Sequence, residues 1–328
     1  MSNLLKIKDN KILLELNNQI VLGVIALNAN YSGSTLTPTI TVDGTGTIDW
    51  GDGTSDDYNG IGVSLPHTYS VEDTYSVVFY GTLTKLQSIT SGSNLYFNVS
   101  ALPDTLDYYY FAGVNTVTGV AADLPRSLTY YRDLSLTSTL SGDIGDLPPG
   151  LVFSGIKGSN TLSGNIANLP TTLTDYYVQG QNTTTGDLSG LTETLTYFLN
   201  YGSNTTSGEL SGFPSNMTYY SNLGLNTTTG DIADLPSTMI YYWNKGRNTV
   251  DTYTSGHTFS SSIYNFRHEP YTGYGLTSTM VDNLLIDLDT SVMSSGSISL
   301  TGNNAARTTA SDTAVSNLQG RGVTVDTN

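Results

Sequence analysis

The chain has 328 residues, 28 acidic and 12 basic, a formal net charge of −16 and no cysteine. This excludes a nucleic-acid partner, because phosphate binding needs a basic surface that displaces counterions, and it excludes disulfides and thiolate metal sites. Only 12% of residues are charged while 38% are hydrophobic, which argues against disorder and against a helical enzyme and for turn-rich β structure coated with Thr, Ser, Asn, Gly and Tyr.

Residues 1–18, MSNLLKIKDNKILLELNN, alternate apolar and polar around Asp9-Asn10. They predict a hairpin or docking arm, with an edge strand of the next domain as the equal alternative. Lys6, Lys8, Asp9, Asn10, Lys11 and Glu15 interrupt the apolar run, so no signal-peptide core is read. No segment approaches the roughly 18 uninterrupted apolar residues of a membrane span. The expectation is a soluble chain made without a secretion address and without membrane insertion.

Residues 19–82 form the second segment. Strand-like runs, Thr39 to Val42 and Tyr75 to Tyr80, flank Gly/Asp turns with no helical periodicity. The order WGDGT (Trp50 to Thr54), HTY (His67 to Tyr69) and DTYSVVF (Asp73 to Phe79) resembles the PKD domain, an Ig-like β-sandwich. The resemblance implies a core Trp50, a tight turn at Asp52-Gly53, packing roles for Tyr69 and Tyr75, and a spacer or adhesion module rather than a catalyst. Asp49, Asp52, Asp56 and Asp57 raise the question of calcium, although Asp-Gly turn chemistry accounts for the same wording.

Residues 83–268 contain a repeat. Phe97, Gly119, Gly142, Gly164, Gly186, Gly208 and Gly230 mark starts about 22 residues apart, with one longer step between Gly119 and Gly142. Gly113, Gly158, Gly180, Gly202, Gly224 and Gly246 form a second series, each followed two residues later by Asn; the 119 repeat lacks both. Such a period predicts a solenoid whose rungs bury their faces on one another. The wording, especially NTLSGNIANLP from Asn160 to Pro170, resembles leucine-rich repeats, with Tyr standing where strand leucines are usual. About seven short repeats are expected, their convex side made of turns and extended chain.

Neighbouring strand residues point to opposite faces, so the repeated Tyr-Tyr doublet serves two surfaces. The uniform column Tyr109, Tyr131, Ser154, Tyr176, Phe198, Tyr220, Tyr242 predicts a packed stack. Its neighbours are mixed with charge and predict a displayed face: Tyr108, Tyr110, Tyr130, Tyr177, Tyr197, Tyr201, Tyr219, Tyr241 and Trp243, beside Arg132, Lys157, Asp175, Gln179 and Lys245. Asn200, Asn222 and Asn244 fall in the inward register, implying either an amide ladder or a register shifted by one. Asp143, Asp187, Glu209 and Asp231 recur singly on successive rungs and read as solvated corners, and the NTT sequons at Asn182, Asn204 and Asn226 read as turn wording.

Residues 269–328 change pattern. LTSTMVDNLLIDLDTS places Met280, Leu284, Leu285 and Leu288 at helical spacing behind a Thr277 or Ser278 cap. SISLTG, TASDTAVSNLQGRG and VTV then predict strand, helix and strand, an α/β unit capping the solenoid.

The whole is therefore expected to be mainly β: a PKD-like sandwich, a leucine-rich-repeat-like solenoid and a small α/β cap. His67, His257 and His268 form no metal motif, and no phosphate loop or nucleophile elbow is present. No catalytic residue, metal or cofactor is assigned. Architecture usual outside cells, without an export signal, suggests a bacteriophage virion accessory protein: a capsid decoration, head fibre or tail fibre. It would be made in the host cytoplasm, docked on other virion proteins through its N-terminal region, and would meet a host glycan or protein through the repeat face. Ring faces beside Asn, Gln and Asp suit stacked sugars, and protein partners nearly as well. A bacterial surface adhesin or carbohydrate-binding module is the alternative, with an extracellular location; a glycan-processing enzyme is least favoured. Homo-oligomerisation stays open.

Overall fold

The computed structural model describes residues 4–8, 11–16, 19–28, 39–71, 73–88, 95–113, 115–224, 227–246, 250–271 and 274–328. Most of the N-terminal arm's side chains, and Asn226 of the sequons, lie outside the described residues. The chain forms two compact units, Met1–Thr161 and Leu162–Asn328. The division falls inside the repeat array, so each unit is described by itself.

In the first unit, Leu4–Lys8 pairs antiparallel with Lys11–Leu16, Lys8 standing opposite Lys11. A connection of only two residues, Asp-Asn in sequence, suits such a hairpin. Gln19–Asn28, Thr74–Ser88, Thr39–Asp49 and Ser55–Pro66 then pair antiparallel in that spatial order. Alternation buries one face, with Ile40, Val42, Ile48, Val77 and Phe79 all at most 1% exposed. In Ser55–Pro66 only Tyr58 and Leu65 are buried; Asp56, Asp57 and the glycines near them suit an edge.

The three motifs around Trp50 meet in one cluster. Trp50 stacks on His67 with ring centroids 4.5 Å apart, and the Tyr69 hydroxyl donates to the Trp50 carbonyl at 2.8 Å. The aspartates are divided among separate local tasks. Asp56 accepts from the Trp50 indole, Asp49 from Gly51 N–H, Asp52 from Thr54 and shares a hydrogen bond with His67, and Asp57 accepts from Thr47.

Strand Thr74–Ser88 is 15 residues long and belongs to two systems. Most of it runs antiparallel in the sheet just described, while its last residues, Lys85 to Ser88, pair in parallel with Tyr108–Phe111. Tyr108–Phe111, Tyr130–Asp133 and Phe153–Ile156 continue that parallel ladder in register. In the second unit a parallel ladder runs through Asp175–Asp187, Tyr197–Gly202, Tyr219–Gly224 and Tyr241–Gly246. Both units therefore carry leucine-rich-repeat-like rungs.

One rung shows why the sequence closes at this length. After its strand the chain turns a corner, forms a second short strand, and enters a 3-10 turn such as Ile144–Asp146 or Leu188–Gly190. Three of the recurrent acids cap these turns: Asp143, Asp187 and Asp231 accept from the N–H two residues on, and Asn98 and Asn165 do the same, whereas Glu209 makes no such bond. The glycine before the cap has no freedom to change. Gly208 has φ +106° and a Cβ there would sit 2.5 Å from Asp187 Oδ1. The L-P-x-x-L wording is another turn, in which Leu128 N–H donates to Pro125 O and Met239 N–H to Pro236 O. Its apolar residues, Leu106, Leu128, Leu151, Leu173, Leu195, Met217 and Met239, are fully buried, each worth about 1.5–3 kcal/mol in transfer from water.

The corner asparagines link rungs. Asn115, Asn160, Asn182 and Asn204 are fully buried, and their Oδ1 atoms accept from the N–H of Leu95, Leu140, Leu162 and Thr184. In the rung that lacks this asparagine, the Ser138 hydroxyl takes the bond from Val117 N–H.

The second unit ends in α/β structure. Strands Asn265–Pro270, Gly296–Leu300 and Val323–Thr327 extend its parallel ladder. Helices Ser278–Thr290 and Asp312–Gly320 lie between them in sequence, and Thr277 caps the first by accepting from Met280 N–H. Its buried face is Val281, Leu284, Leu285 and Leu288; Met280, expected on that face, is half-exposed. Asp282 ties the helix to the chain ahead of the second one by accepting from Thr308 N–H, Thr308 Oγ1 and Ser311 Oγ. Among the described residues no helix is long and apolar enough to cross a membrane.

Candidate functional site

The inward column is as the periodicity predicts. Tyr109, Tyr131 and Ser154 in the first unit, and Tyr176, Phe198, Tyr220 and Tyr242 in the second, are fully buried. Burial raises the phenol pKa of each of these tyrosines. The asparagine column is also inward, so the register is not shifted. It is not an amide ladder either. Asn200, Asn222 and Asn244 donate through Nδ2 to Thr184, Thr206 and Thr228, and the latter two also donate to Tyr220 and Tyr242 hydroxyls.

The outward residues Tyr108, Tyr110, Tyr130, Tyr177, Tyr197, Tyr201, Tyr219, Tyr241 and Trp243 are all half-buried. They divide between the units. In the first, Tyr108 and Tyr130 stack at 4.4 Å and Tyr130 and Phe153 at 4.5 Å. Lys85 covers the Tyr108 ring at 4.9 Å, and Arg132 lies 4.8 Å from the Tyr110 centroid and 5.8 Å from that of Phe153. Gly155 makes room for this: a Cβ there would meet the Phe153 ring at 2.8 Å and the Arg132 stem at 3.2 Å.

In the second unit Tyr197, Tyr219 and Tyr241 stack at 4.0 Å per step. Burial raises the Tyr219 and Tyr241 phenols, and the two hydroxyls hydrogen-bond to each other. Beside this row, Arg267 covers Trp243 at 4.4 Å, Tyr201 meets Trp243 edge-on at 6.3 Å, and Tyr201 shares a hydrogen bond with Ser221. Glu269 is 7% exposed. Burial opposes its charge, but hydrogen bonds from Ser299 and Arg267, with the Arg267 and Lys245 charges, hold its carboxyl below the usual range.

Along the rows Tyr108–Tyr130–Phe153 and Tyr197–Tyr219–Tyr241 the rings thus turn faces to neighbouring rings, with Lys85 and Arg132 over rings of the first row. Phe153, Tyr264, Arg267 and Glu269 belong to the surface and were not singled out. Phe153 could have been found, since it directly precedes Ser154 of the inward column. The other three lie on a rung that falls outside the 22-residue wording.

His268 is fully buried; desolvation lowers its pKa to about 4, and it shares a hydrogen bond with the Val250 carbonyl. A recess of about 450 Å³ on the corner side is lined by Asp187, Ser189, Gly208, Glu209, Ser211, Gly212 and Thr229. The Asp187 carboxylate there is committed to Ser189, whose hydroxyl and N–H hold its pKa low. Among the described residues no group of three His, Asp or Glu could hold a metal ion.

No protein-family model matches the sequence, and no curated protein matches it. Two solved structures are similar in part. One is the crystal structure of PEPR1–AtPEP1, at 18% identity over 68% of this chain and 35% of that chain, with a TM-score of 0.45. The other is the plant peptide hormone receptor RGFR1 in complex with RGF2, at 22% identity over 75% of this chain and 37% of that chain, with a TM-score of 0.39. This chain therefore spans little more than a third of the length of either of those chains.

Proposed function

We propose that this chain is a non-enzymatic recognition protein that holds a partner against the strand faces of its repeats, as a surface accessory of a bacteriophage virion. One observation carries the recognition reading: outward rows of half-buried aromatic residues recur, rung after rung, on hydrogen-bonded parallel strands. A repeated, rigid aromatic surface costs solvation free energy that a partner recovers on binding. With ring faces stacked on one another along two rows, a polypeptide partner is favoured over stacked sugars.

The finer parts of the proposal rest on resemblance. The Trp50, His67 and Tyr69 cluster supports the PKD-like reading of residues 19–82, a module suited to spacing or adhesion. Cysteine-free composition and hydroxyl-rich modular repeats support the virion reading. Mass spectrometry of purified particles tests it: particles that lack the chain would remove it. For the recognition surface, Tyr241→Ala combined with Trp243→Ala is expected to abolish binding of the purified chain to host cells while its circular dichroism is unchanged. Undiminished binding by a folded double variant would refute a site in the second unit.

A further inference from the structure

We infer that the strand face of the first unit is a docking surface for an acidic polypeptide segment. The inference rests on the recognition reading above and specifies its partner. The outward positions of this ladder are Lys85, Gln87, Tyr108, Tyr110, Tyr130, Arg132, Phe153 and Gly155, followed by Lys157 in the same alternation. Three are cations and none is a carboxylate. Yet the whole chain has 28 acidic residues against 12 basic ones, so a random set of its charges would be mostly negative.

Among the described residues four other cations are matched by carboxylates, Arg267 and Lys245 by Glu269, Arg307 by Asp312 and Arg321 by Asp289, while Arg126 donates to the Asp146 carbonyl. Among the described residues no carboxylate lies within ion-pair distance of Lys85, Arg132 or Lys157. Two of them lie instead over aromatic rings, which hold the side chains in place without neutralising them.

The rings add to the same field. An aromatic ring is negative over its face and positive at its edge. Here the faces of Tyr108, Tyr130 and Phe153 are turned to one another or to a cation, so their positive edges are what these rings offer a partner. Edge, hydroxyl and cation all prefer an anionic group. A sugar acid would supply the anion, but its ring would find no open aromatic face to stack on. A run of Asp and Glu side chains needs only the donors and the charge.

The test uses the full chain and poly-L-glutamate, with polygalacturonate and dextran as comparisons, by calorimetry at about 20 mM and about 300 mM NaCl, conditions that span weak and strong screening. Poly-L-glutamate is a stringent probe because the chain's net charge of −16 opposes its approach. The expected result is binding at low salt that weakens at least about tenfold at high salt. Arg132→Gln with Lys157→Gln should weaken it at least about tenfold, whereas Arg307→Gln should leave it unchanged. If the double variant does not fold, Lys157→Glu alone, at a half-exposed position, should give the same direction. Absence of binding, binding insensitive to these variants, or stronger binding of polygalacturonate would each overturn the inference. The Tyr241 and Trp243 variant reads the second unit: undiminished host-cell binding by that variant, with poly-L-glutamate binding as expected, refutes the second-unit site alone, whereas host-cell binding lost in it, with no poly-L-glutamate binding by the parent chain, overturns this inference alone.

Discussion

Asn204 offers a direct measure of what the corner asparagines contribute. Its Oδ1 accepts from Thr184 N–H at 3.2 Å and from Thr184 Oγ1 at 2.8 Å, and that hydroxyl in turn accepts from Asn200 Nδ2 at 2.9 Å. All three residues are fully buried. Asn204→Ala strands the Thr184 amide and breaks the chain of bonds at its acceptor. An unsatisfied buried donor costs about 1–3 kcal/mol, and the lost contacts raise the expected total to about 2–4 kcal/mol. That is a large part of the stability of an ordinary domain. Asn204→Asp keeps the acceptor but buries a carboxyl. It should be strongly destabilised at neutral pH and partly recover in mild acid, where the carboxyl is neutral and Oδ1 still accepts. Urea unfolding gives the free-energy change, and hydrogen exchange at the Thr184 amide reports the local bond. An Asn204→Ala protein within about 0.5 kcal/mol of the parent, with Thr184 still protected, would refute the role given to these corners.

Two further outcomes follow from buried groups in the array. Asp133 is fully buried and desolvation pushes its pKa up to about 7, above the ordinary 3.8, despite hydrogen bonds from Ser138 and Ser135. The folded state then holds a proton that the unfolded state releases. Its contribution is complete below about pH 4 and is lost as pH rises through about 7, an effect of a few kcal/mol at most. Thermal melts should therefore fall between pH 4 and 7, and Asp133→Asn should remove that slope. Gly208→Ala adds a Cβ 2.5 Å from Asp187 Oδ1 at φ +106°. It should cost on the order of 1–3 kcal/mol, seen as a lower unfolding midpoint, whereas Gly256→Ala, with nothing within 4 Å, should show only the backbone part of that loss.

Much of this fold was legible in the chain because its rules are local. Period 2 along a strand and a spacing of 22 between rungs place Tyr109, Tyr131, Tyr176, Phe198, Tyr220 and Tyr242 inside without knowledge of any partner residue. The same arithmetic puts Tyr108, Tyr130, Tyr197, Tyr219 and Tyr241 outside. Turn chemistry around L-P-x-x-L and Gly-Asp is equally local, as are the Thr277 cap and the two C-terminal helices. What alternation could not supply was the partner of an inward polar group. Asn222 is inward by count alone, but that it meets Thr206 and the Tyr220 hydroxyl depends on how one rung rests on the next.

The composition, the repeat and the two faces of each strand were determined by the sequence, since each depends on residues a few positions apart. Tertiary structure decided which part of each displayed ring meets solvent, because rungs in register bring successive tyrosines to stacking distance and turn their faces inward on one another. It also decided which cations are neutralised, since Glu269 pairs with Lys245 on the adjacent strand as well as with Arg267 on its own, while among the described residues Lys85, Arg132 and Lys157 meet no acid. Both are questions of contact between distant residues, and the character of the surface offered to a partner rests on them.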